Sequence, residues 1–230
     1  DMIYTSTDSG ESWKIIMNRL EYSRFDWNIP YMKPQYNGGG NCVHWISDIK
    51  LSPFDSDTAL FNTGTGLFMI TGLASGDVLV KPFCEGIEET VHLNVYTTPH
   101  GRNRIIDIIG DLGGFAFEDY DNECENSFAN ENGDRYITCL NADLTLSDPE
   151  YIVATPRGNW TGKTKGGLIL SKDCGSTWER LPMPRGLSEF IDQKLDNIEK
   201  PNVDSGWTAI SADGKRIMWA VAGGRGFSNK

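Results

Sequence analysis

A carboxylate followed by two glycines, at residues 110–115, is the stretch of the sequence best suited to chemistry. A β-branched apolar run ends at Ile109, Asp111 follows, and Gly113 and Gly114 come directly after. Such an apolar run predicts a strand, and glycines let the backbone pass close to a neighbouring group or ligand. The stretch therefore predicts an acid presented at the end of a strand, where it can exchange a proton with a bound substrate.

Two other acids could contribute to such a site. Asp107 lies four residues before Asp111, hence on the same face of a strand; it could tune Asp111 by like-charge coupling, although we expect an ordinary strand-surface residue. Asp48 falls in a predicted innermost strand. We expect it to be a hydrogen-bonded residue of a central channel more than a residue of a cleft.

The composition excludes several kinds of partner. The chain of 230 residues has a formal charge of −11, with 32 acidic and 21 basic residues, whereas nucleic acids and anionic membranes require a cationic surface. No run of 18 apolar residues is present. The chain opens at Asp1 without a signal-peptide pattern, so we expect a processed or excised piece. Neutral polymers and small neutral ligands remain as partners.

No metal or cofactor is expected. The five cysteines form no CxxC pair, and the three histidines form no pair with ligand spacing. Cys124 and Cys139 flank an acidic, Asn-rich segment and could form a disulfide across it or stay free. The odd number of cysteines leaves at least one thiol without a partner in this chain.

An eight-residue pattern, Ser-x-Asp-x-Gly-x-(Ser/Thr)-Trp, occurs at residues 6–13 and again at 171–178. Each copy predicts a hairpin turn in which the Asp bonds turn amides, the Gly takes a positive φ and the Trp covers the turn. The pattern resembles the Asp-box of bacterial-neuraminidase-type repeats in β-propellers. Asp8 and Asp173 are therefore predicted to hold turns and to take no part in catalysis.

A longer repeat of strand, turn, strand, Gly-rich turn and strand runs between these copies. Its aligned prolines, Pro53, Pro99 and Pro149, lie 46 and 50 residues apart, a spacing typical of four-stranded propeller blades. We predict an all-β chain made of blades of four antiparallel strands, about four blade equivalents in all. It forms one partial propeller domain over residues 1–230, with blade breaks near 45, 90, 137 and 205.

With these elements in place, the chain resembles glycoside hydrolase family 74 (GH74), the xyloglucan-active endoglucanases and reducing-end-specific cellobiohydrolases. The motifs that carry the resemblance occur in the family's order and cover most of the chain. They lie at residues 52–57, 62–66, 86–90, 110–115 and 211–215.

The resemblance implies two seven-bladed propellers that face each other across a cleft and hydrolyse the β-1,4-glucan backbone of xyloglucan with inversion. It also implies a secreted enzyme. Asp111 corresponds to the catalytic Asp of the second propeller, the general acid. Its partner comes from a TDxGG-like stretch in the first propeller, and these 230 residues contain no such stretch. The remainder of the parent enzyme would supply it, and the piece alone is expected to be inactive.

Sugars are recognised by aromatic rings and hydrogen-bonding groups. Trp13 and Trp178 belong to the repeated turns and are excluded, while Trp207 and Trp219 lie in predicted inner strands and are expected to pack between blades. Contact with a ligand and packing within a loop remain equally open for Trp27, Tyr31 and Trp160. The candidate substrate-binding residues are Trp27, Tyr31, Trp45, Gly113, Gly114 and Trp160.

A non-catalytic propeller that binds a glycan or a protein is the alternative function. Asp-box repeats occur in receptors of that kind, so the repeat alone does not decide. A sialidase ranks lower, because it needs an arginine cluster and a Tyr/Glu nucleophile pair and the early Arg-Ile-Pro signature is absent.

Overall fold

The computed structural model describes residues 2–18, 25–26, 45–87, 90–122, 124, 126–158, 164–182 and 206–221. Within these ranges the chain is all-β, as predicted, and has no helix that could span a membrane. The chain divides into an N-terminal unit, Asp1–Glu89, and a C-terminal unit, Thr90–Lys230.

The N-terminal unit contains a two-stranded and a four-stranded antiparallel sheet. The strand order in each sheet follows the chain, β1-β2 and β3-β4-β5-β6, so each strand pairs with the next through a short connection. The strands are β1 (Met2–Thr5), β2 (Lys14–Asn18), β3 (Asp48–Leu51), β4 (Thr58–Thr63), β5 (Gly66–Thr71) and β6 (Leu79–Pro82).

The C-terminal unit contains two four-stranded sheets and a two-stranded one, again antiparallel and in chain order. The strands of the first sheet are β7 (Val91–Thr97), β8 (Ile105–Gly110), β9 (Gly113–Phe117) and β10 (Asn126–Ser127). The remaining strands are β11 (Cys139–Leu144), β12 (Ile152–Pro156), β13 (Ile169–Ser171), β14 (Glu179–Arg180), β15 (Gly206–Ile210) and β16 (Ile217–Val221).

The main core of the C-terminal unit forms between its two four-stranded sheets. Ile106 and Ile108 of β8 pack in one cluster with Ile152 of β12 and Ile169 of β13, and all four are at most 1% exposed. Burying an isoleucine side chain contributes about 1.5–3 kcal/mol. This core supports the hairpin of β8 and β9, whose turn contains Asp111.

The last sheet shows the period of two that a strand imposes on burial. In β15, Thr208 and Ile210 are buried while Trp207 is 67% exposed. Trp219 of β16 packs against the cluster that contains Ile210 and Val153. Trp219 therefore packs against this core, whereas Trp207 lies exposed on the other face of β15, and its packing between blades stays a prediction.

The two repeated turns have the same hydrogen bonds. The Asp173 carboxylate accepts from the Thr177 amide at 2.8 Å and from the Thr177 hydroxyl at 2.6 Å. Asp8 accepts from the corresponding amide and hydroxyl of Ser12 at 2.9 and 2.5 Å. A serine two residues before each Asp donates to it at 2.7 Å. Both carboxylates are therefore occupied by their own turns.

Asp173→Ala is expected to lower the free energy of unfolding of the C-terminal unit by about 1–2 kcal/mol, because the turn donors lose their acceptor. Burial raises the pKa of Asp173, but the bonds from Thr177 and Ser171 outweigh it, so the pKa is lowered overall. The carboxylate therefore stabilises the fold above its unfolded-state pKa of about 4, and this contribution is lost as the pH falls through the folded-state pKa.

Urea unfolding at pH 7 and at several values below pH 4 measures both effects. Asp173→Asn is the matched variant, since it keeps one acceptor oxygen but cannot titrate. It should show a smaller loss of stability with acid than the wild type. Equal acid sensitivity in the two proteins would contradict the role assigned to the Asp173 charge.

Candidate active site

Asp111 lies in the turn between β8 and β9, with its side chain exposed. Its φ of 63° is left-handed, a conformation that Asp tolerates better than most residues. Its amide donates to Thr138 Oγ1 at 2.9 Å, and no described residue hydrogen-bonds to its carboxylate. The main chain of the turn is therefore fixed, and the acid faces solvent.

Gly113 and Gly114 are buried directly behind this turn. Gly113 has a φ of 80°, and a Cβ there would lie 2.7 Å from the Tyr136 carbonyl oxygen. A Cβ on Gly114 would lie 2.7 Å from the Asp107 carbonyl oxygen and 2.8 Å from the Phe128 ring. The neighbouring atoms leave no room for a Cβ at either position, and this explains both glycines without any contact to a ligand. Their predicted contact with substrate stays a prediction.

Asp107 is not the strand-surface residue that the sequence suggests. It is 6% exposed, and its carboxylate lies 2.8 Å from His92 Nδ1. The other ring nitrogen, His92 Nε2, lies 2.6 Å from Thr90 Oγ1. Sequence reasoning missed His92 because it considered histidines only as metal ligands. The informative signal is the pairing of β7 with β8, which brings His92 opposite Ile109, two residues from Asp107.

Trp45 is the one candidate aromatic residue that lies within the described ranges. It belongs to the N-terminal unit, is 77% exposed and has a φ of 57°. A bulky residue in the left-handed region is strained, and such strain often accompanies a functional position. Trp27, Tyr31 and Trp160 lie outside the described residues.

Asp48, the other acid considered from the sequence, is also exposed. Its carboxylate accepts from Lys50 Nζ at 2.6 Å and from the Ile49 amide at 2.9 Å. The Lys50 bond, followed by the Ile49 bond, lowers the pKa of Asp48. Asp48 is therefore a paired anion on β3, in contrast to Asp111.

Two buried groups behind the Asp111 turn remain uncharged at neutral pH. Burial raises the pKa of Tyr136 to about 12 and that of the Cys139 thiol to about 12. Cys139 donates to the Asn141 carbonyl, and Cys124 donates to the Ala116 carbonyl at 3.2 Å. Neither cysteine takes part in a disulfide, so the disulfide considered between Cys124 and Cys139 is not formed.

Within the described part of the chain, no metal cluster accompanies Asp111. No group of three His, Cys, Asp or Glu residues is positioned there to hold a metal ion. A cavity of about 540 Å³ opens elsewhere in the C-terminal unit, between residues 127–133 and the repeated turn. Lys172 and Glu179 line it and bond each other at 2.5 Å.

The fold is that of GH74 structures. The crystal structure of a GH74 xyloglucanase from Xanthomonas campestris matches with a TM-score of 0.69 and 22% identity, over 97% of this chain and 28% of that one. A GH74 enzyme from Niastella koreensis matches with a TM-score of 0.66 and 19% identity, over 96% of this chain and 27% of that one.

The curated homologues are xyloglucanases. A xyloglucanase of Paenibacillus sp is 25% identical over 246 residues, which are 96% of this chain and 21% of that protein. An oligoxyloglucan-reducing end-specific xyloglucanase of Emericella nidulans is 25% identical over 256 residues, or 96% of this chain and 30% of that protein. No family model matches the chain.

These matches confirm the resemblance to GH74 and the fold predicted with it. The chain spans about a fifth to a third of the length of the curated relatives. The similarity extends over nearly all of this chain.

Proposed function

We propose that the chain is the second-propeller portion of a longer, secreted glycoside hydrolase that degrades xyloglucan. Its homology to xyloglucanases supports the substrate class. The observation that carries the proposal is the exposed Asp111 carboxylate, held in a left-handed turn of a chain with such relatives. A polymeric substrate that cannot enter a cell accords with secretion. The three four-stranded sheets are then blades and the two two-stranded sheets parts of blades, about four blade equivalents of one partial propeller domain.

The reaction proposed is hydrolysis of the β-1,4-glucan backbone with inversion. Asp111 is the general acid and protonates the oxygen of the leaving sugar. A second carboxylate activates water on the opposite face of the ring, at about 6.5–9.5 Å from the first. That carboxylate belongs to the remainder of the parent protein, so residues 1–230 alone should not hydrolyse xyloglucan.

The turn geometry suits an acid of this kind. The Asp111 amide is bonded to Thr138 Oγ1 and the Gly113 amide to the Ile137 carbonyl, at 2.9 Å in each case. These bonds hold the main chain on both sides of the carboxylate. A carboxylate fixed in position loses little entropy when the substrate is aligned beside it.

Trp45→Ala in the longer protein is expected to raise KM for xyloglucan oligosaccharides about 2- to 12-fold, because stacking of an aromatic ring is worth about 0.5–1.5 kcal/mol. The thermal midpoint should change little, since the ring is largely exposed. Steady-state kinetics and thermal unfolding measure the two quantities.

Phe54→Ala is the control for loss of an exposed aromatic side chain in the same unit, since Phe54 is 96% exposed. It should leave KM unchanged. An equal rise in KM for both variants, or none for Trp45→Ala, would remove Trp45 from the substrate-binding residues.

The activity of the longer protein on xyloglucan tests the proposed function directly. Release of the α-anomer, observed by NMR at early times, would indicate inversion. Retention of the β-configuration, or the absence of hydrolysis by a folded protein, would exclude the proposed mechanism.

A further inference from the structure

Three side chains near the Asp111 turn form a continuous hydrogen-bonded chain. The Asp107 carboxylate contacts His92 Nδ1 through both oxygens, at 2.8 and 3.0 Å. His92 Nε2 contacts Thr90 Oγ1 at 2.6 Å. The chain runs from a buried acid, through a ring that is 52% exposed, to a partly buried hydroxyl.

The polarity of this chain follows from its buried end. A carboxylate has only acceptor atoms, so Nδ1 of a neutral His92 must carry the proton and donate it. Nε2 is then an acceptor, and the Thr90 hydroxyl must donate its hydrogen to it. The lone pairs of Thr90 Oγ1 are left to accept a hydrogen bond from another group.

Thr90 stands beside Asp111 at the end of the pairing of β7 with β8. The last pair of this ladder is Val91 and Gly110, and a Cβ on Gly110 would lie 3.3 Å from Val91 Cβ. Thr90 precedes Val91 and Asp111 follows Gly110, so the two residues occupy neighbouring positions at one end of the sheet. Both belong to the C-terminal unit.

We propose that Thr90 binds a sugar hydroxyl beside Asp111, and that His92 and Asp107 are positioning residues that keep its oxygen an acceptor. Sugar hydroxyls are hydrogen-bond donors, and an acceptor of fixed polarity selects them. This inference rests on the proposed function, because it assigns the ligand as the xyloglucan backbone. A bound hydroxyl there would align the neighbouring glycosidic oxygen with the acid.

The protonation of the His92 ring is the first test. Long-range proton–nitrogen NMR spectra report which ring nitrogen of a histidine carries the proton, in the longer protein labelled with ¹⁵N-histidine. The His92 signals are identified by their loss in His92→Gln. They should show that Nδ1 is protonated and Nε2 is not. In Asp107→Asn the amide can donate to Nδ1 and select the other tautomer, so the Nε2–H form should gain population. An Nε2–H or doubly protonated ring in the wild type would overturn the proposal.

Kinetics of the longer protein on xyloglucan oligosaccharides is the second test. Thr90→Val should raise KM about 3- to 10-fold, the value of one neutral hydrogen bond, with kcat changed less than about twofold. Thr90→Ser, which keeps the hydroxyl, should restore KM. Thr97→Val is the matched control, since Thr97 is an exposed threonine at the far end of β7.

The failures of the two proposals are distinguishable. A wild-type protein that does not hydrolyse xyloglucan overturns the proposed function and, with it, the ligand assigned to Thr90. A wild-type protein that is active while Thr90→Val and Thr97→Val have equal KM overturns the role of Thr90 alone. If Thr90→Val does not fold, Thr90→Ala, which also lacks the hydroxyl, replaces it in the kinetic test, and the His92 tautomer remains an independent test.

Discussion

Replacing Asp111 by Asn in the longer protein is expected to lower kcat on xyloglucan by about 10²- to 10⁴-fold, the usual contribution of general acid catalysis. Asn has nearly the same size and shape as Asp but cannot deliver a proton. The turn should persist, because its bond to Thr138 uses the Asp111 amide. Initial rates of reducing-end release measure the effect, and the thermal midpoint should remain that of the wild type.

The choice of substrate separates an acid from other catalytic carboxylates. An aryl glycoside with a weakly basic leaving group needs little protonation, so Asp111→Asn should lose much less activity on it than on xyloglucan. Equal losses on both substrates would indicate that Asp111 activates water or positions the sugar.

Glu118→Gln is the control for removal of a carboxylate near the same sheet. The Glu118 side chain is 64% exposed and lies 3.4 Å from Arg102, at the opposite end of β9 from Asp111. Activity like that of the wild type is expected. If Asp111→Asn is equally active, catalysis by Asp111 is excluded.

A folded wild type that binds glycans without hydrolysing them would favour the non-catalytic propeller.

The sequence predicts the strands well where an apolar run is bounded by turn residues. The apolar run that ends at Ile109 predicts β8 where it occurs, and Asp111 lies in the turn that follows it. The short outer strands were harder to place. β10 and β14 have two residues each, so no periodicity can distinguish them from loops.

The burial of Asp107 could not be predicted from the period of two. Four consecutive residues of β8, from Ile106 to Ile109, are buried, so both faces of this strand are covered and alternation does not sort them. The compensating partner, His92, comes from β7 and is met only through the register of the two strands.

The conformation of Trp45 was also beyond sequence analysis. As an aromatic residue, Trp45 is a candidate for stacking against a sugar ring, but the sequence does not indicate its left-handed φ, a conformation that tryptophan rarely adopts. Such local conflicts between residue type and conformation are expected at functional positions. Asp111, with the same sign of φ, is a milder case.

Gly114→Ala is expected to lower the free energy of unfolding of the C-terminal unit by about 3 kcal/mol, at the upper end of the usual cost of overpacking. The added Cβ would lie 2.8 Å from the Phe128 ring and 2.7 Å from the Asp107 carbonyl oxygen. Neither can move away easily. Phe128 is fully buried against Trp178, with ring centroids 4.4 Å apart, and Asp107 lies within the central strand β8.

Urea unfolding followed by tryptophan fluorescence measures this change, and the Phe128–Trp178 contact makes the signal sensitive to it. Gly133→Ala is the matched control: Gly133 has a φ of 79°, but a Cβ there meets nothing within 4 Å. It should cost only about 1–2 kcal/mol, for the left-handed backbone. A loss below about 0.5 kcal/mol for Gly114→Ala would show that the hairpin can move apart from Phe128. Close packing would then not explain the glycine behind Asp111, and its predicted contact with substrate would become the stronger reason for it.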